Sequence, residues 1–185
     1  MLNINDVKIG MSIKYDGNVY TVLETQHVKP GKGAAFVKAK VRNIKTGSII
    51  EETFNSSAKV EQAILNKKKM SYLYHEGDDY YFMDLDDYSQ ISVKKDILGK
   101  NVNYLKENSE VLMEFYESDI IGINVGDKIT LKITHTEPAV KGNTSSGAQK
   151  DATLETGYVI KVPIFLNEGD SVIISTSDGK YVSRS

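Results

Sequence analysis

A single lysine between two glycines is the most distinctive chemical group in the sequence. Residues 27–36 read HVKPGKGAAF, so Lys32 stands between Gly31 and Gly33, with strand-like sequence on both sides. This pattern predicts a hairpin with the lysine at its tip. Because the flanking glycines have no side chains, Lys32 is the only bulk at the end of a narrow finger that could enter a tight slot. A merely solvated turn, made by Pro30 and Gly31, is the simpler alternative.

The segment does not fit a nucleotide-binding loop. Such a loop carries Ser or Thr directly after its lysine and runs from a strand into a helix. Here Gly33 follows Lys32 and a second strand is predicted. We therefore exclude phosphate binding of that kind.

A basic stripe is predicted along the second strand. In residues 35–43 apolar and basic side chains alternate, and side chains two positions apart share a face of a strand. No acidic residue occurs from residue 27 to residue 45. Several cations that face phosphates give salt-sensitive affinity for RNA, although an ordinary solvated face is the alternative. The cations of this basic stripe are Lys29, Lys32, Lys38, Lys40 and Arg42.

Composition limits the class of protein. The 185 residues, 40% of them hydrophobic, suffice for one large domain or two or three small ones. The absence of cysteine excludes disulfides and thiolate metal sites and suits a reducing compartment. We see no signal peptide, and no window approaches the roughly 18 apolar residues that cross a bilayer. We expect a soluble, cytoplasmic protein with no membrane partner.

The formal net charge of −2 is unevenly distributed. Residues 1–64 carry nine Lys/Arg and six Asp/Glu, residues 65–127 carry seven and thirteen, and residues 128–185 carry seven and six. The three balances are therefore +3, −6 and +1. Such asymmetry indicates that one end meets a polyanion while the middle does not.

Short runs rich in Val, Ile, Tyr and Thr, separated by turn signals every 8–12 residues, predict an all-β protein. We interpret the chain as three small β modules with joints near residues 64 and 127. Two type I′ hairpins are predicted, at Asp16-Gly17 and at Asp178-Gly179. Helix is expected only at residues 59–65 and 96–107, the second capped by Asp96. A mobile loop is expected at residues 140–150.

Two other function classes have some support in the middle module. Aromatic residues could stack on the bases of single-stranded nucleic acid: Tyr72, Tyr74, Tyr80, Tyr81, Phe82 and Tyr88. Interleaved aspartates would repel phosphates, so we interpret most of these rings as core. The cluster of Asp84, Asp86 and Asp87 lacks the spacing of a calcium loop, and His27, His75 and His135 lack ligand spacing. We expect no metal, no cofactor and no enzymatic activity.

The residues quoted above resemble a known family. HVKPGKGAAF followed by VRNIKTG is similar to the first domain of bacterial elongation factor P. The similarity continues in YLYHEGDDYYFMD (72–84), TEPAVKG (136–142), KDATLETGYVIKVPIFLNEGD (150–170) and the ending YVSR (181–184). The match covers essentially the full chain.

This resemblance implies three small barrels in an elongated arrangement. An SH3-like, KOW-type domain would span residues 1–64, and OB-fold domains would span residues 65–127 and 128–185. The implied function is that of a translation elongation factor that binds the ribosome between the P and E sites. It would relieve stalling at consecutive prolines by positioning the P-site peptidyl-tRNA.

The resemblance also implies roles for particular residues. Lys32 would be extended covalently by a lysine-modifying enzyme, and the rest of the tip loop and basic stripe would contact tRNA or rRNA. In the third module the motif Gly142-Asn143-Thr144 would approach the mRNA in the E site. Relatives usually have aspartate at the middle position, so the codon contact of Asn143 stays open. Tyr181 and Arg184 match the family ending, and Arg184 is either a phosphate contact or a solvated side chain.

Overall fold

The computed structural model describes residues 1–139 and 147–185, and it is nearly all β. Three antiparallel sheets account for the sixteen strands of the described residues. The chain forms two compact units, one of Met1–Asn66 with Glu114–Ile121 and one of Lys67–Met113 with Gly122–Ser185. The prediction of an all-β protein is confirmed, and the domain joints at residues 64 and 127 stay a prediction.

The first sheet contains six strands in the order β1-β6-β2-β3-β4-β5. The strands are β1 (Leu2–Asn3), β2 (Ser12–Tyr15), β3 (Asn18–Val28), β4 (Phe36–Asn43), β5 (Ile49–Asn55) and β6 (Lys59–Gln62). A short 3-10 helix, Ile4–Asp6, follows β1. Alternate residues of β4 point into a fully buried core with Ile4, Ile13 and Val22. This core anchors the base of the predicted finger.

The second sheet has five strands in the order β11-β10-β7-β8-β9. They are β7 (Leu65–Glu76), β8 (Asp79–Asp84), β9 (Gln90–Lys94), β10 (Glu110–Tyr116) and β11 (Asp119–Asn124). Helix α1 (Lys95–Leu98) and a 3-10 helix (Gly99–Tyr104) connect β9 to β10. Phe82 and Met113 are completely buried.

The third sheet also has five strands, in the order β14-β13-β12-β15-β16. They are β12 (Lys128–Thr136), β13 (Gln149–Leu154), β14 (Val159–Pro163), β15 (Ser171–Ser175) and β16 (Tyr181–Arg184). Its core contains Leu131, Leu154 and Ile174, together with Tyr104 from the 3-10 helix before β10. The expected loop at 140–150 falls mainly on residues outside those described, and its last two residues belong to β13.

The predicted helix at residues 59–65 is wrong. The segment instead forms β6 and the start of β7. Strand β6 pairs with both β1 and β2, bringing Val60 opposite Leu2 and Gln62 opposite Ile13. Pairing to two distant strands therefore overrides a weak local preference for helix.

The second predicted helix is much shorter than residues 96–107. Helix α1 ends after one turn because Gly99 adopts φ +56°, and the chain continues as a 3-10 helix. Asp96 is not the N-cap: that position is Lys94, whose side chain makes no capping bond. Nothing in the described residues is a helix long and apolar enough to span a membrane.

One of the two predicted hairpin turns is correct. Asp16 and Gly17 have φ values of 48° and 75°, which a type I′ turn requires at both positions. Asp178-Gly179 is different, because only Gly179 has positive φ. The connection between β15 and β16 is a five-residue loop, residues 176–180, in which the amide of Gly179 donates to the carbonyl of Ser175.

Candidate functional site

The site is the hairpin of β3 and β4, which we call the finger. The two strands pair antiparallel from Tyr20 opposite Asn43 to Val28 opposite Phe36, and residues 29–35 connect them. Strand β4 continues on its other side into β5. The inward residues Val37 and Ala39 are buried at the base, whereas residues 29–34 are all exposed. A solid core thus supports one end of the finger, and solvent surrounds the other.

Lys32 lies at the end of this finger and is exposed. Within residues 1–139 and 147–185 it forms no hydrogen bond or ion pair with another side chain. A Cβ atom added at Gly31 would meet nothing within 4 Å. The ammonium group is therefore free for a partner outside the chain, and its surroundings leave space for one.

Gly33 sets the conformation of the tip. Its φ of +106° lies in a region that L-residues rarely adopt, so a side chain there strains the backbone. Its hypothetical Cβ atom would lie 3.9 Å from Cγ of Pro30, which is an ordinary contact. The requirement for glycine at this position is thus conformational rather than steric.

Gly33→Ala is expected to rearrange the tip, whereas Gly31→Ala is not. Alanine at position 33 costs about 1–3 kcal/mol in the observed conformation, and an unpacked tip relieves that strain by moving. Amide NMR spectra should then show changed shifts throughout residues 29–35 for Gly33→Ala and only at the nearest neighbours for Gly31→Ala. Equal and strictly local changes in both variants would contradict the conformational role of Gly33.

The basic stripe lies on the outer face of β4 as predicted, but acids on the neighbouring strands accompany it. Lys40 Nζ lies 3.6 Å from Glu24 Oε1 of β3, and Lys38 Nζ lies 3.9 Å from Glu51 Oε1 of β5. A bulge in β3 between Val22 and Glu24 shifts the register and places Glu24 directly opposite Lys40. Both pairs are exposed, so each contributes roughly 0–1 kcal/mol and exchanges easily with phosphate.

The remaining cations of the stripe are less engaged. Arg42 is exposed on the same face as Lys40, and Lys29 is exposed at the start of the tip. In the described part of the chain neither forms an ion pair. His27, next to the tip, is exposed on the core-facing side of β3, opposite Val37.

The other predicted RNA-binding residues come later in the sequence than the finger, in or next to the third sheet. The motif Gly142-Asn143-Thr144 lies outside the described residues. Tyr181 is half-buried against the core of the third sheet. Arg184 Nη2 lies 3.2 Å from Oδ1 of Asp170, so its guanidinium already has a carboxylate partner.

Family models describe the whole length of this chain. The model of the elongation factor P KOW-like domain matches residues 3–60, and that of the elongation factor P OB domain matches residues 65–123. The model of the elongation factor P C-terminal domain matches residues 129–184. The chain belongs to the elongation factor P family. It is accordingly a translation elongation factor with KOW-like and OB domains, and this family implies interaction with the ribosome.

Solved structures support the fold. Eukaryotic translation initiation factor 5A from Methanococcus jannaschii is 21% identical with a TM-score of 0.53, covering 68% of this chain and 90% of its own. A translation initiation factor eif-5a family protein from Naegleria fowleri is 16% identical with a TM-score of 0.54, covering 67% of this chain and 94% of its own. At these identities the likeness concerns architecture.

Most of the aromatic residues of the second sheet are structural. Tyr72, Tyr80 and Phe82 are buried, and the rings of Tyr72 and Phe82 lie 5.5 Å apart. Burial raises the pKa of Tyr72 to about 12. Tyr74 and Tyr81 stack on each other with ring centroids 4.8 Å apart, so each uses a face that a base would need. Tyr88 is exposed in an acidic turn, and no ring of the described residues stacks on it.

The aspartate cluster organises that turn. Asp84 is only 3% exposed, and its carboxylate accepts from the amide of Asp86 at 2.8 Å and from Lys68 Nζ at 3.4 Å. Asp87 accepts from the hydroxyl and amide of Ser89, which lowers the pKa of its carboxyl. No group of potential metal ligands occurs among the residues outside 140–146.

The other two histidines also have local partners. His75 stacks on Tyr80 with ring centroids 4.9 Å apart. His135 Nδ1 lies 3.1 Å from Oε1 of Glu168. Neither arrangement brings a second histidine close, in keeping with the absence of ligand spacing in the sequence.

Sequence reasoning missed Tyr104. It is 2% exposed, and its ring meets that of Tyr158 edge to face at a centroid distance of 5.9 Å. Around it Lys100 Nζ donates to the carbonyl of Ser177, and the hydroxyl of Thr156 donates to the carbonyl of Asn103. The segment between β9 and β10 is therefore fastened to the third sheet inside the second compact unit. The sequence offered one signal of this burial, because the tyrosine lies directly beside apolar positions of the predicted helix.

Proposed function

We propose that the protein binds the ribosome between the P and E sites and promotes peptide bond formation at consecutive prolines. In this proposal Lys32, after covalent modification, positions the acceptor end of the P-site peptidyl-tRNA. The observation that carries it is the exposed Lys32, which has no partner among the described residues, at the end of a finger with a buried base. A side chain in that position makes no evident contribution to the stability of the fold.

The dimensions of the finger suit this task. One step along the strands separates the pair His27–Val37, whose valine is buried in the core, from the last pair Val28–Phe36. At about 3.3 Å per residue this step extends the strands only about 3 Å beyond the core, so residues 29–35 and the lysine side chain supply most of the reach. The finger is narrow because it contains two strands and glycines flank its tip.

The mechanism we propose is positional. Proline is a poor substrate because its ring fixes φ and its nitrogen is a secondary amine. Peptidyl-tRNA that ends in prolines is then badly placed for attack, and a 1 Å misplacement can cost about 100-fold in rate. Contacts from Lys32 to the acceptor end restore the reactive geometry, while the ribosome performs the bond chemistry.

The modification of Lys32 belongs to the same proposal. Its ammonium has no partner in the described residues, and open space surrounds Gly31, so a modifying enzyme can reach Nζ. An extended side chain then reaches further than lysine alone. Some relatives carry an arginine at the tip and glycosylate it, and the lysine in this chain excludes that modification.

Phosphate contacts would hold the factor in place. The basic stripe offers Lys29, Lys38, Lys40 and Arg42 to rRNA or tRNA, and two of its ion pairs are weak enough to be replaced. Arg184 can contribute only by leaving Asp170 or by sharing its guanidinium. The mRNA contact of Gly142, Asn143 and Thr144 stays part of the proposal.

A reconstituted translation system tests this function. Two messages that differ only in three consecutive proline or alanine codons are translated with and without the protein, and ribosome positions are measured by toeprinting. We expect the protein to shorten the pause at the prolines by tenfold or more and to leave the alanine message unchanged. An unchanged proline pause with fully modified protein would refute the proposal.

A further inference from the structure

A groove runs along the surface of the third sheet, where the strands at its two ends approach each other. Its volume is about 440 Å³. It is bordered by residues of β13, β14, β16 and the loop between β15 and β16. Its polar and aromatic lining residues are Gln149, Tyr158, Lys161, Asp178, Lys180 and Tyr181.

The position of this groove within the fold is informative. In chain order, β13 and β14 are the second and third of the five strands of this sheet. Residues 176–180 form the loop between its fourth and fifth strands. OB folds bind oligonucleotides on the face of strands two and three and at that loop. The groove therefore occupies the place that this architecture uses for single-stranded nucleic acid.

The lining residues supply the matching chemistry. Lys161 and Lys180 offer two cations for backbone phosphates. The rings of Tyr158 and Tyr181 are half-buried against the core of the third sheet, so they form part of the apolar lining of the groove. Gln149 provides an amide for base edges. Val159 is 52% exposed at the same place, an apolar contact that nothing in the described residues covers.

Two carboxylates accompany the lysines: Asp178 lines the groove, and Asp151 pairs with Lys161. Asp178 Oδ1 accepts from the backbone amide of Lys180 at 3.0 Å and so serves the loop. Asp151 Oδ1 lies 2.8 Å from Lys161 Nζ, but both side chains are about two-thirds exposed. An ion pair that exposed is worth little, and a phosphate can replace the carboxylate.

The loop at the edge of the groove is held in a fixed shape. Gly179 has φ +72°, and a Cβ atom there would overlap the hydroxyl of Tyr158 and lie 3.0 Å from that of Tyr104. The amide of Ser175 donates to the carbonyl of Lys180, closing the loop. The groove is thus preformed, which reduces the entropy lost when a ligand binds.

We infer that this groove binds a short single-stranded RNA segment, with Lys161 and Lys180 on its phosphates. The inference rests on the proposed function, since it gives the third sheet an RNA contact of its own on the ribosome. It adds Lys161 and Lys180 to the RNA contact already proposed for Tyr181 and Arg184. The footprint is one or two nucleotides, so the isolated affinity is weak and depends on salt.

Fluorescence anisotropy with a labelled ten-nucleotide oligouridylate tests the inference on the free, full-length protein. The double variant Lys161→Ala/Lys180→Ala is compared with Lys128→Ala/Lys132→Ala, which removes two exposed lysines of β12 outside the groove. Each lost phosphate contact lowers the slope of log K against log salt by about 0.7. We expect the groove variant to lose about 1.4 in slope and at least tenfold in affinity at 50 mM salt, with the control unchanged.

Two results would overturn the inference. One is an unchanged affinity of the groove variant for oligouridylate. The other is an equal loss of affinity in both double variants, which would show that only the net charge of the protein matters. Neither depends on pausing at prolines. If the groove variant binds RNA normally while the protein still relieves the proline pause, the inference fails and the proposed function stands.

Discussion

Lys32→Ala is expected to fold normally and to lose nearly all relief of pausing at consecutive prolines. The side chain is exposed and unpartnered in the described chain, so its removal should change the free energy of unfolding by less than about 0.5 kcal/mol. Its loss removes the one group that we assign to the acceptor end of the tRNA. Toeprinting on the triple-proline message should show a pause within about twofold of that without protein.

Matched variants separate the tip from general charge. Lys45→Ala removes an exposed lysine of the turn between β4 and β5 and should retain pause relief. Lys32→Arg keeps the charge but removes the primary amine, so it should fail if modification matters. Mass spectrometry of the native protein should place any added mass on the tip peptide at Lys32. Full pause relief by Lys32→Ala would reject the role assigned to this residue.

Tyr104→Ala is expected to produce the largest loss of stability among single substitutions of the second compact unit outside its strands. The ring is buried in the core of the third sheet although it belongs to the segment between β9 and β10. Removal of a buried aromatic side chain typically costs 3–5 kcal/mol. Burial also raises the pKa of the Tyr104 hydroxyl, consistent with this environment.

Urea denaturation of the full chain measures this effect. Tyr104→Phe keeps the ring and should cost less than about 1.5 kcal/mol, and Tyr88→Ala, at a side chain that is 70% exposed, should change stability by less than about 0.5 kcal/mol. For Tyr104→Ala we also expect the third sheet to unfold in a separate transition at a lower urea concentration. A cost below 1 kcal/mol for Tyr104→Ala would contradict the fastening role.

The sequence predicts the finger because its determinants are local. Alternation of apolar and basic residues in β4 fixes which side chains face the core, and the pattern Pro-Gly-Lys-Gly fixes where the chain reverses. The Asp16-Gly17 turn is correct for the same reason. Such features depend on neighbours within a few positions.

Features that depend on pairing between distant segments were not predictable. Glu24 and Glu51 come close to the basic stripe only through the register of β3 and β5, including the bulge in β3. The local sequence of β6 does not indicate a strand, because its pairing partners lie about fifty residues away in the chain. Tyr104 lies in the core of the third sheet, whose first strand begins only at Lys128, so local periodicity does not reveal its burial.

Site-specific crosslinking on the ribosome locates the tip of the finger during a pause at prolines. A photoreactive benzophenone amino acid at Ala34, exposed two positions from Lys32, leaves the tip lysine intact. Irradiation of ribosomes stalled at consecutive prolines, followed by mapping of the crosslinked RNA, should identify the terminal nucleotides of the P-site tRNA. Crosslinks to ribosomal sites remote from that acceptor end, or only within the protein itself, would contradict the account.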